Sequence, residues 1–243
     1  MIKIKDKLLL IVFLLYSQTV VASEKIYIVG VEDSIGYPYK TSENGKFYGK
    51  FREILDKFAK SQGIRFEYKS YKVQDLFEAL YTNKVDFKFP DNPVWKSPEK
   101  KDYKIIYSDF LTYYIDALFV KKSDIKKNFR DFKTFGTSND SLLWPISGKL
   151  AKGKVKVIQA NSCSELIPQI KNNEIEAIFC NYDVMKYILR KSSLENEIVV
   201  NTNLPFIDNY YYISTINYPE IIVRLNSWIH KNRVYIEKEM HES

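Results

Sequence analysis

Cysteine and histidine are scarce in this sequence. The 243 residues include 2 cysteines and 2 histidines, and both histidines, His230 and His241, stand near the C-terminus. Two cysteines are too few for a disulfide scaffold or a four-thiolate zinc site. The placement of the histidines disfavours a histidine-rich metal centre or a histidine-based catalytic triad elsewhere in the chain. We therefore predict no metal site and no cofactor.

Glycine and proline are infrequent as well. The chain has 8 of each, whereas 19 tyrosines, 15 phenylalanines and 3 tryptophans are spread along its length. This composition excludes collagen-like and low-complexity proteins. With 45% hydrophobic and 28% charged residues, the chain can bury a sizeable core. Its length fits one large domain or two small ones.

Long apolar runs are absent except at the N-terminus. There, Lys3, Lys5 and Lys7 precede an apolar run over residues 8–16, and small residues close the segment at Ala22. The run is too short to span about 30 Å of hydrocarbon without help from its flanks. The pattern predicts a secretory signal peptide at residues 1–22, the alternative being an uncleaved anchor. We therefore expect a soluble periplasmic protein.

The charge balance disfavours a nucleic-acid partner. A net charge of +7 is spread over 37 basic and 30 acidic residues without a long basic run. Such a distribution is typical of a solvated surface rather than of a nucleic-acid footprint. We therefore expect no binding of DNA or RNA.

Short apolar runs alternate with helical periodicity along the rest of the chain. The series strand, helix, strand, helix, strand occurs twice, which predicts an α/β fold of two lobes, each a mainly parallel sheet flanked by helices. We assign residues 23–120 plus 206–243 to lobe 1, and residues 121–205, with the hinge segments, to lobe 2. Strands are expected at residues 25–31, 64–69, 85–89, 114–120, 133–137, 155–159, 175–180 and 209–214. Helices are expected at residues 50–62, 74–81, 141–152, 164–172 and 219–231.

The loops that follow the first and third strands of each lobe form the predicted binding site. In an open parallel sheet, ligands bind beyond the carboxyl ends of the strands, where the winding direction reverses. If each lobe has the strand order second, first, third, the reversal lies between the first and third strands. The loops concerned are residues 32–49 and 90–98 in lobe 1 and residues 136–143 and 181–183 in lobe 2.

Short motifs follow one another in a definite order along the chain. They are Gly30-Val31, Pro38-Tyr39, Gly45-Lys46-Phe47-Tyr48-Gly49, Leu76-Phe77-Glu78-Ala79-Leu80, Lys84-Val85-Asp86, Tyr107-Ser108-Asp109 and Ile175-Glu176-Ala177. In this series the chain resembles the extracellular solute-binding proteins of the amino-acid-binding class, which have the type II periplasmic binding fold. The resemblance covers essentially the whole mature chain. It implies a protein that closes two lobes over a small ligand and delivers that ligand to the membrane subunits of an ABC importer.

Two positions depart from the pattern of that family. Members that bind amino acids usually carry an arginine after a Thr-Pro-Glu turn, and this arginine holds the ligand carboxylate with two hydrogen bonds. Here Lys100 follows Ser97-Pro98-Glu99 and cannot supply the planar fork. The family's aspartate that faces the ligand amine corresponds to Asn181. The resemblance therefore implies a small polar ligand, amino-acid-like or a derivative, rather than an ordinary α-amino acid.

The cleft loops supply further candidate residues. Asp91 and Asn92 stand at a proline-stiffened rim, although both side chains could simply bond their own turn. Trp95 and Trp144 lie on corresponding loops of the two lobes, where they could enclose a flat ligand or pack in the core. The same two alternatives apply to the tyrosines that flank Pro38.

A strand-to-helix turn in lobe 2 completes the predicted site. Ser138 and Asn139 begin a helix whose free backbone N–H groups could face a ligand, although routine capping explains these residues equally well. The predicted ligand-binding set is Tyr37, Tyr39, Asp91, Asn92, Trp95, Lys100, Ser138, Asn139, Trp144, Asn181 and Asp183.

The two cysteines are predicted to be buried thiols. In the expected strand order, the strands next to Cys163 and Cys180 lie on either side of the first strand of lobe 2, about 9–10 Å apart. This distance exceeds the reach of a disulfide unless the loops bend inward. The alternative is a disulfide formed in an oxidising compartment.

Two classes of function fit this scaffold. The leading hypothesis is a monomeric binding protein that releases its ligand unchanged. The alternative is a periplasmic, dehydratase-like enzyme, since a fold does not determine an activity. The cleft loops offer Asp91, Lys100 and Asp183 but no histidine or activated nucleophile, which favours binding over catalysis. A ligand sensor is a third possibility, disfavoured by the lack of a second apolar segment.

Overall fold

The computed structural model describes residues 24–43, 45–95, 100–138, 148 and 152–241. The predicted signal peptide, the Ser97-Pro98-Glu99 turn, Asn139 and Trp144 lie outside the described residues.

Strands and helices alternate through the described residues. The strands are β1 (Lys25–Glu32), β2 (Ile35–Gly36), β3 (Lys40–Glu43), β4 (Lys46–Tyr48), β5 (Ile64–Tyr71), β6 (Phe87–Asp91), β7 (Ile106–Tyr107), β8 (Thr112–Lys121), β9 (Thr134–Ser138), β10 (Lys156–Ala160), β11 (Ala177–Asn181), β12 (Ile198–Val200) and β13 (Ile207–Thr215). The helices are α1 (Lys50–Ser61), α2 (Val73–Tyr81), α3 (Leu166–Lys171), α4 (Tyr182–Lys191), α5 (Pro219–Lys231) and α6 (Arg233–His241). None of the helices in this part of the chain is long and apolar enough to cross a membrane.

Helix α1 illustrates how local sequence determines an element. Phe51, Leu55 and Phe58 recur at helical spacing and are buried on one face. The helix begins after Gly49, whose φ of 104° favours glycine. A Cβ at Gly49 would also lie 2.5 Å from the carbonyl oxygen of Tyr39. The glycine therefore lets the chain before α1 pack directly against the start of the helix.

The core lies between the sheets and the helices that cover them, and aromatic rings fill much of it. In lobe 1, the buried ring of Phe66 lies 6.0 Å from that of Phe58 and 5.8 Å from that of Phe87. In lobe 2, the buried rings of Phe132 and Phe135 are 6.2 Å apart. Burial of such side chains is the main favourable contribution to folding.

Each lobe has the predicted order of parallel strands. In lobe 1, β1 pairs with β5 along its whole length and with β6 at Val29 and Gly30, which gives the order β5-β1-β6. In lobe 2, β9 pairs with β10 and β11, which gives the order β10-β9-β11. The second, first, third arrangement is thus confirmed in both lobes. The carboxyl ends of β1, β6, β9 and β11 are the edges at which a ligand is expected.

Two long antiparallel strands join the lobes. Strand β8 pairs with β11 and β12, and β13 pairs with β8 from Ile207 to Tyr211. From Tyr212 onward, β13 pairs with β6 and β7 instead. Hydrogen-bonded strands therefore continue from one lobe into the other as one mixed sheet. The sequence had suggested two separate sheets joined by hinge segments. The α/β, two-lobed fold class is confirmed, and the lobe boundaries at residues 120 and 206 stay a prediction.

The central strands of the two lobes share a close approach to a helix. A Cβ added at Gly30 of β1 would lie 2.8 Å from Leu76 of α2 and 3.1 Å from Val85. A Cβ added at Gly136 of β9 would lie 2.8 Å from Leu166 of α3 and 2.6 Å from Ile175. The helix thus lies directly on the strand backbone in both lobes.

In both lobes, an acidic side chain just before the third parallel strand accepts a hydrogen bond from the backbone of the first strand. In lobe 1, Asp86 Oδ2 accepts a hydrogen bond of 2.7 Å from the Ile28 backbone N–H. In lobe 2, Glu176 Oε2 accepts one of 3.0 Å from the Thr134 backbone N–H. These acids belong to the Lys84-Val85-Asp86 and Ile175-Glu176-Ala177 motifs, so the motifs have a structural role.

Several elements were not predicted from the sequence. The segment between β1 and α1, expected to be a loop, contains the small antiparallel sheet β2-β3-β4. Its strands have two to four residues and lack an apolar alternation, so the pattern of period two gives no signal. Helix α4 begins directly at the end of β11, and α6 follows α5 after a break at Asn232. Both helices were missed.

Candidate functional site

A cavity of about 90 Å³ lies between the two lobes. Residues at the carboxyl ends of β1, β9 and β11 contribute to its wall, as the strand order predicts. Residues of the β2-β3 hairpin and α1 line it from lobe 1, and α4 lines it from lobe 2. The joining strands β8 and β13 supply its floor.

Five aromatic rings line the cavity and contact one another in series. The Phe51 ring lies 5.7 Å from that of Tyr39 and 5.4 Å from that of Tyr211. Tyr211 stacks on Tyr114 with a centroid distance of 4.4 Å. Trp95 lies 6.0 Å from Tyr211 and 6.2 Å from Tyr114. The rings thus form a continuous aromatic wall, which we call the aromatic wall below.

Two donors of the aromatic wall are buried and poorly satisfied. The Tyr39 hydroxyl and Trp95 Nε1 make no hydrogen bond of normal geometry with the described residues, although Tyr39 interacts with the Asp183 carboxylate and Trp95 with the Tyr114 hydroxyl. Tyr39 is only 6% exposed. Burial, then the negative charge of Asp183 in the opposite lobe and hydrogen bonding to it, raise the pKa of Tyr39.

Carboxylates lie beside the aromatic wall. Glu32, at the end of β1, is 6% exposed and forms an ion pair with Lys40 of β3. Asp116 of β8 accepts a hydrogen bond of 3.4 Å from Asn181 Nδ2. Burial is the main cause that raises the pKa of Tyr114, and the negative charges of Asp116 and Glu32 add to it. Both carboxylates therefore act on the same part of the cavity.

Two of the predicted residues line the lobe 2 side of the cavity, and a third lies beside it. Ser138 ends β9 and lines the cavity, and so does Asn181 at the end of β11. The side-chain Oδ1 of Asn181 accepts hydrogen bonds of 3.2 Å from the backbone N–H groups of Asp183 and Val184, and Asn181 therefore caps α4. Asp183 lies in the first turn of α4 and faces Tyr39 electrostatically.

The mouth of the cavity is bridged by two tyrosines. Tyr37 follows β2 in lobe 1, and its ring stacks on that of Tyr187 of α4 in lobe 2, with a centroid distance of 6.3 Å. A second crevice of about 250 Å³ lies along this contact. The crevice shares Ile35 and Val184 with the cavity. The predicted residue Tyr37 thus lines the adjoining crevice rather than the cavity itself.

Three further predicted residues, Asp91, Asn92 and Lys100, also lie outside the described wall of the cavity. Asp91 is fully buried; its Oδ1 forms an ion pair of 3.1 Å with Lys88 Nζ and accepts a hydrogen bond of 2.9 Å from Lys100 Nζ. Its Oδ2 accepts a hydrogen bond of 2.6 Å from the Ser214 hydroxyl. We call Lys88, Asp91 and Lys100 the buried charge cluster. Burial is the main cause that lowers the pKa of Lys100.

The buried charge cluster organises the loop after β6. Asn92 Oδ1 accepts the Val94 N–H at 3.0 Å, and Asp91 Oδ1 accepts the Asn92 N–H at 2.7 Å. These bonds match the alternative in which both side chains bond their own turn. Lys88 Nζ also lies 5.4 Å from the Trp95 ring. The cluster therefore supports Trp95, and direct ligand contact by Asp91, Asn92 and Lys100 stays a prediction.

The prediction of two free thiols is wrong. Cys163 and Cys180 form a disulfide with a Cα–Cα distance of 6.3 Å. The strand order that argued against this bond is correct, but Cys163 stands beyond the end of β10, where the chain bends toward the end of β11. A cross-link of this loop length contributes about 3 kcal/mol to stability. Both cysteines also line the cavity, so the disulfide forms part of its wall.

Solved structures with the same arrangement are numerous. An ABC uptake transporter substrate binding protein from Streptococcus pneumoniae with bound histidine has a TM-score of 0.70 and 16% identity, over 90% of this chain and 93% of that one. An ancestral arginine-binding protein bound to arginine has a TM-score of 0.69 and 21% identity, over 89% and 98%. An arginine transport-system periplasmic binding protein from Legionella pneumophila has a TM-score of 0.67 and 16% identity, over 90% and 99%.

This chain has the fold of the periplasmic binding proteins. At these identities the likeness establishes the fold alone. No family model matches the chain, and no curated protein matches it.

The periplasmic binding fold explains why some lining residues were missed. Asp116, Tyr114 and Tyr211 lie on the antiparallel strands β8 and β13, whereas the sequence argument considered only loops after parallel strands. Glu32 stands at the first position of a predicted loop, and Lys40 lies in the hairpin. An acidic residue at the end of an apolar strand was the available signal for Glu32.

Proposed function

We propose that this protein is a periplasmic solute-binding protein that captures a small polar ligand between its lobes and closes over it. The observation that carries this proposal is the cavity between the lobes, which is lined by the aromatic wall and by polar side chains of both lobes. Delivery of the ligand to an ABC importer is part of the proposal. So are export through a cleaved signal peptide and a monomeric state.

Contacts across the cleft support a closing motion. Tyr37 stacks on Tyr187 of the opposite lobe, and Tyr39 interacts electrostatically with Asp183. Such contacts exist only when the lobes are together. A ligand that bridges the same two walls would shift an existing equilibrium between open and closed forms.

We infer that the protein is not an enzyme. The described lining contains no histidine, and its cysteines are joined in the disulfide. Covalent catalysis needs a nucleophile with an adjacent base, and the described lining offers no such pair of serine and histidine or cysteine and histidine. The alternative of a dehydratase-like enzyme would be favoured by heat release that continues after a titration has saturated.

The test is direct ligand identification. We expect mass spectrometry of the exported, natively purified protein to detect one copurifying solute. Titration calorimetry against amino acids, oligopeptides, polyamines and sugars should give saturable binding with one site per chain. A radius of gyration that decreases on saturation would report closure. Failure of every compound in a broad metabolite library to bind would contradict the proposal.

A matched pair of variants locates the ligand. Tyr39→Phe removes only a buried hydroxyl of the cavity, and we expect affinity to fall by up to about tenfold because one hydrogen bond is lost. Tyr48→Phe makes the same change at an exposed tyrosine of the neighbouring strand β4. Equal affinity of the two variants would place the ligand elsewhere.

A further inference from the structure

We propose that the cavity selects a small organic cation, with an ammonium or guanidinium head, and does not require a ligand carboxylate. This inference rests on the proposed function and names the class of ligand for the same cavity.

The aromatic wall is the first argument. A cation gains energy over the face of an aromatic ring, most over tryptophan, when it lies within about 6 Å of the ring centre. Trp95 lines the cavity together with the four other rings of the aromatic wall, two of which, Tyr114 and Tyr211, are stacked. Because these rings contact one another in series, a head group inside the cavity would meet several of them.

The charges of the lining are the second argument. Glu32 and Asp116 bring two carboxylates, and both act on the Tyr114 hydroxyl. Lys40 brings one positive charge, which lies against Glu32. The described lining residues therefore carry a net negative charge. In a partly desolvated space, such an excess attracts a cation and repels an anion more strongly than it would in water.

The engagement of the lysines is the third argument. A cationic side chain is the strongest clamp for the carboxylate of a zwitterionic ligand. Lys40 is bound to Glu32, while Lys88 and Lys100 are bound to Asp91 in the buried charge cluster. No arginine lines the cavity among the described residues. Among the described residues, a ligand carboxylate would thus meet the two acids of the lining and no cationic side chain left to clamp it.

The dimensions of the site fit a head group. Pockets for drug-sized ligands have volumes of about 300–1,000 Å³, whereas this cavity measures about 90 Å³. The cavity therefore suits a small group rather than a whole drug-sized ligand. A longer ligand body could extend past Ile35 and Val184 into the crevice beneath Tyr37 and Tyr187.

The experiment compares ligands that differ in charge but not in shape. Choline is titrated beside the neutral alcohol in which a carbon replaces its nitrogen, and guanidinium, putrescine, arginine and glutamine complete the set. We expect at least one cation without a carboxylate to bind, and choline to bind at least tenfold more tightly than its neutral analogue if its head enters the cavity. Arginine should bind no more tightly than a cation that lacks its carboxylate.

A pair of carboxylate variants connects the selectivity to the cavity. Asp116→Asn should weaken cation binding at least tenfold, because it removes a negative charge from the lining. Asp208→Asn changes an exposed acid on the paired strand β13, outside the lining, and should leave the affinity unchanged. The ligand comparison on the unaltered protein keeps the inference testable even if Asp116→Asn does not fold.

The outcomes separate this inference from the proposed function. Preferential binding of zwitterions or neutral solutes would overturn the cation selectivity and leave a solute-binding protein. Cation binding that Asp116→Asn and Asp208→Asn weaken equally would overturn the assignment to this cavity. If none of these compounds and no solute of the broader library binds, both the inference and the proposed function fail.

Discussion

The two lobes are alike where helices pack on their central strands and different where they face the cavity. At the packing end, Gly30 lies under Leu76 in lobe 1, and Gly136 lies under Leu166 in lobe 2. Asp86 and Glu176 each accept a hydrogen bond from a backbone N–H group of the first strand in their lobe. Three features, a glycine, a helix leucine and an acid, thus recur at equivalent positions.

At the cavity end, the lobes are stabilised by different chemistry. The loop after β6 depends on the buried charge cluster, in which Asp91 holds two lysines. The end of β11 is held by the disulfide and by the cap that Asn181 provides for α4. The comparison teaches that strand order determines where a site can lie, whereas individual side chains determine which edge is open to a ligand.

The largest expected loss of stability comes from removing the carboxylate of the buried charge cluster in lobe 1. Asp91→Ala leaves Lys88 and Lys100 buried without their shared carboxylate. Removing one partner of a buried ion pair costs about 3–5 kcal/mol, so we expect a loss of unfolding free energy of this size. Urea unfolding followed by circular dichroism measures it.

The control for Asp91→Ala is Asp208→Ala, which removes an exposed acid from β13. Its unfolding free energy should stay within about 0.5 kcal/mol of the unaltered protein. A loss of less than about 1 kcal/mol for Asp91→Ala would mean that the buried charge cluster does not stabilise this edge.

An intermediate effect is expected where the lobes are alike. Gly30→Ala and Gly136→Ala each introduce a methyl group within 2.8 Å of a helix leucine. Overpacking of this kind costs about 1–3 kcal/mol, and we expect similar losses from both substitutions. Gly148→Ala is the control, because its Cβ would meet no atom of the described residues within 4 Å. Tolerance of one substitution and not the other, measured by thermal unfolding, would break the equivalence of the lobes.

The smallest expected effect is the pH-dependent contribution of Glu176, in lobe 2, to the unfolding free energy. Partial burial raises the pKa of Glu176, but the backbone N–H groups of Lys133 and Thr134 lower it more, with help from Lys127, and the net pKa lies below 4.5. The carboxylate therefore stabilises the fold above pH 4.5, and this stability is lost as the pH falls through the lower folded value.

We expect Glu176→Gln to lose about 1 kcal/mol at pH 7. Because protonation removes the same charge from the unaltered protein, the difference between the two proteins should shrink at acidic pH. Unfolding free energies measured at neutral pH and below the folded pKa test this trend. A difference that does not change with pH would show that the carboxylate charge is not responsible.

The sequence was sufficient to predict the framework of the fold because that framework depends on periodicity and order. Apolar runs and amphipathic stretches predicted the strands β1, β5 and β9 and the helices α1, α2 and α5. The small sheet β2-β3-β4 was not predicted because its short strands do not alternate between apolar and polar residues. Its polar residues become ordered only by packing against α1 and the cavity.

The site was only partly predictable. Tyr39, Trp95, Ser138 and Asn181 line the cavity, as the loops after parallel strands implied. Asp116 was missed because it belongs to a joining strand, and a one-dimensional pattern does not reveal which face of that strand meets the opposite lobe. The prediction of free thiols failed for a related reason. The periodicity of the sequence predicts strands and helices, but it does not predict the path of the loop after β10, which carries Cys163.

The ribbon formed by β8 and β13 has a mechanical consequence. It both links the halves of the molecule and carries Tyr114, Asp116 and Tyr211 on the floor of the cavity. If the proposed function holds, twisting this ribbon to separate the halves would also rearrange the surface on which the solute rests. Affinity and the ease of opening would then be governed by shared residues, and a change that alters one property would also alter the other.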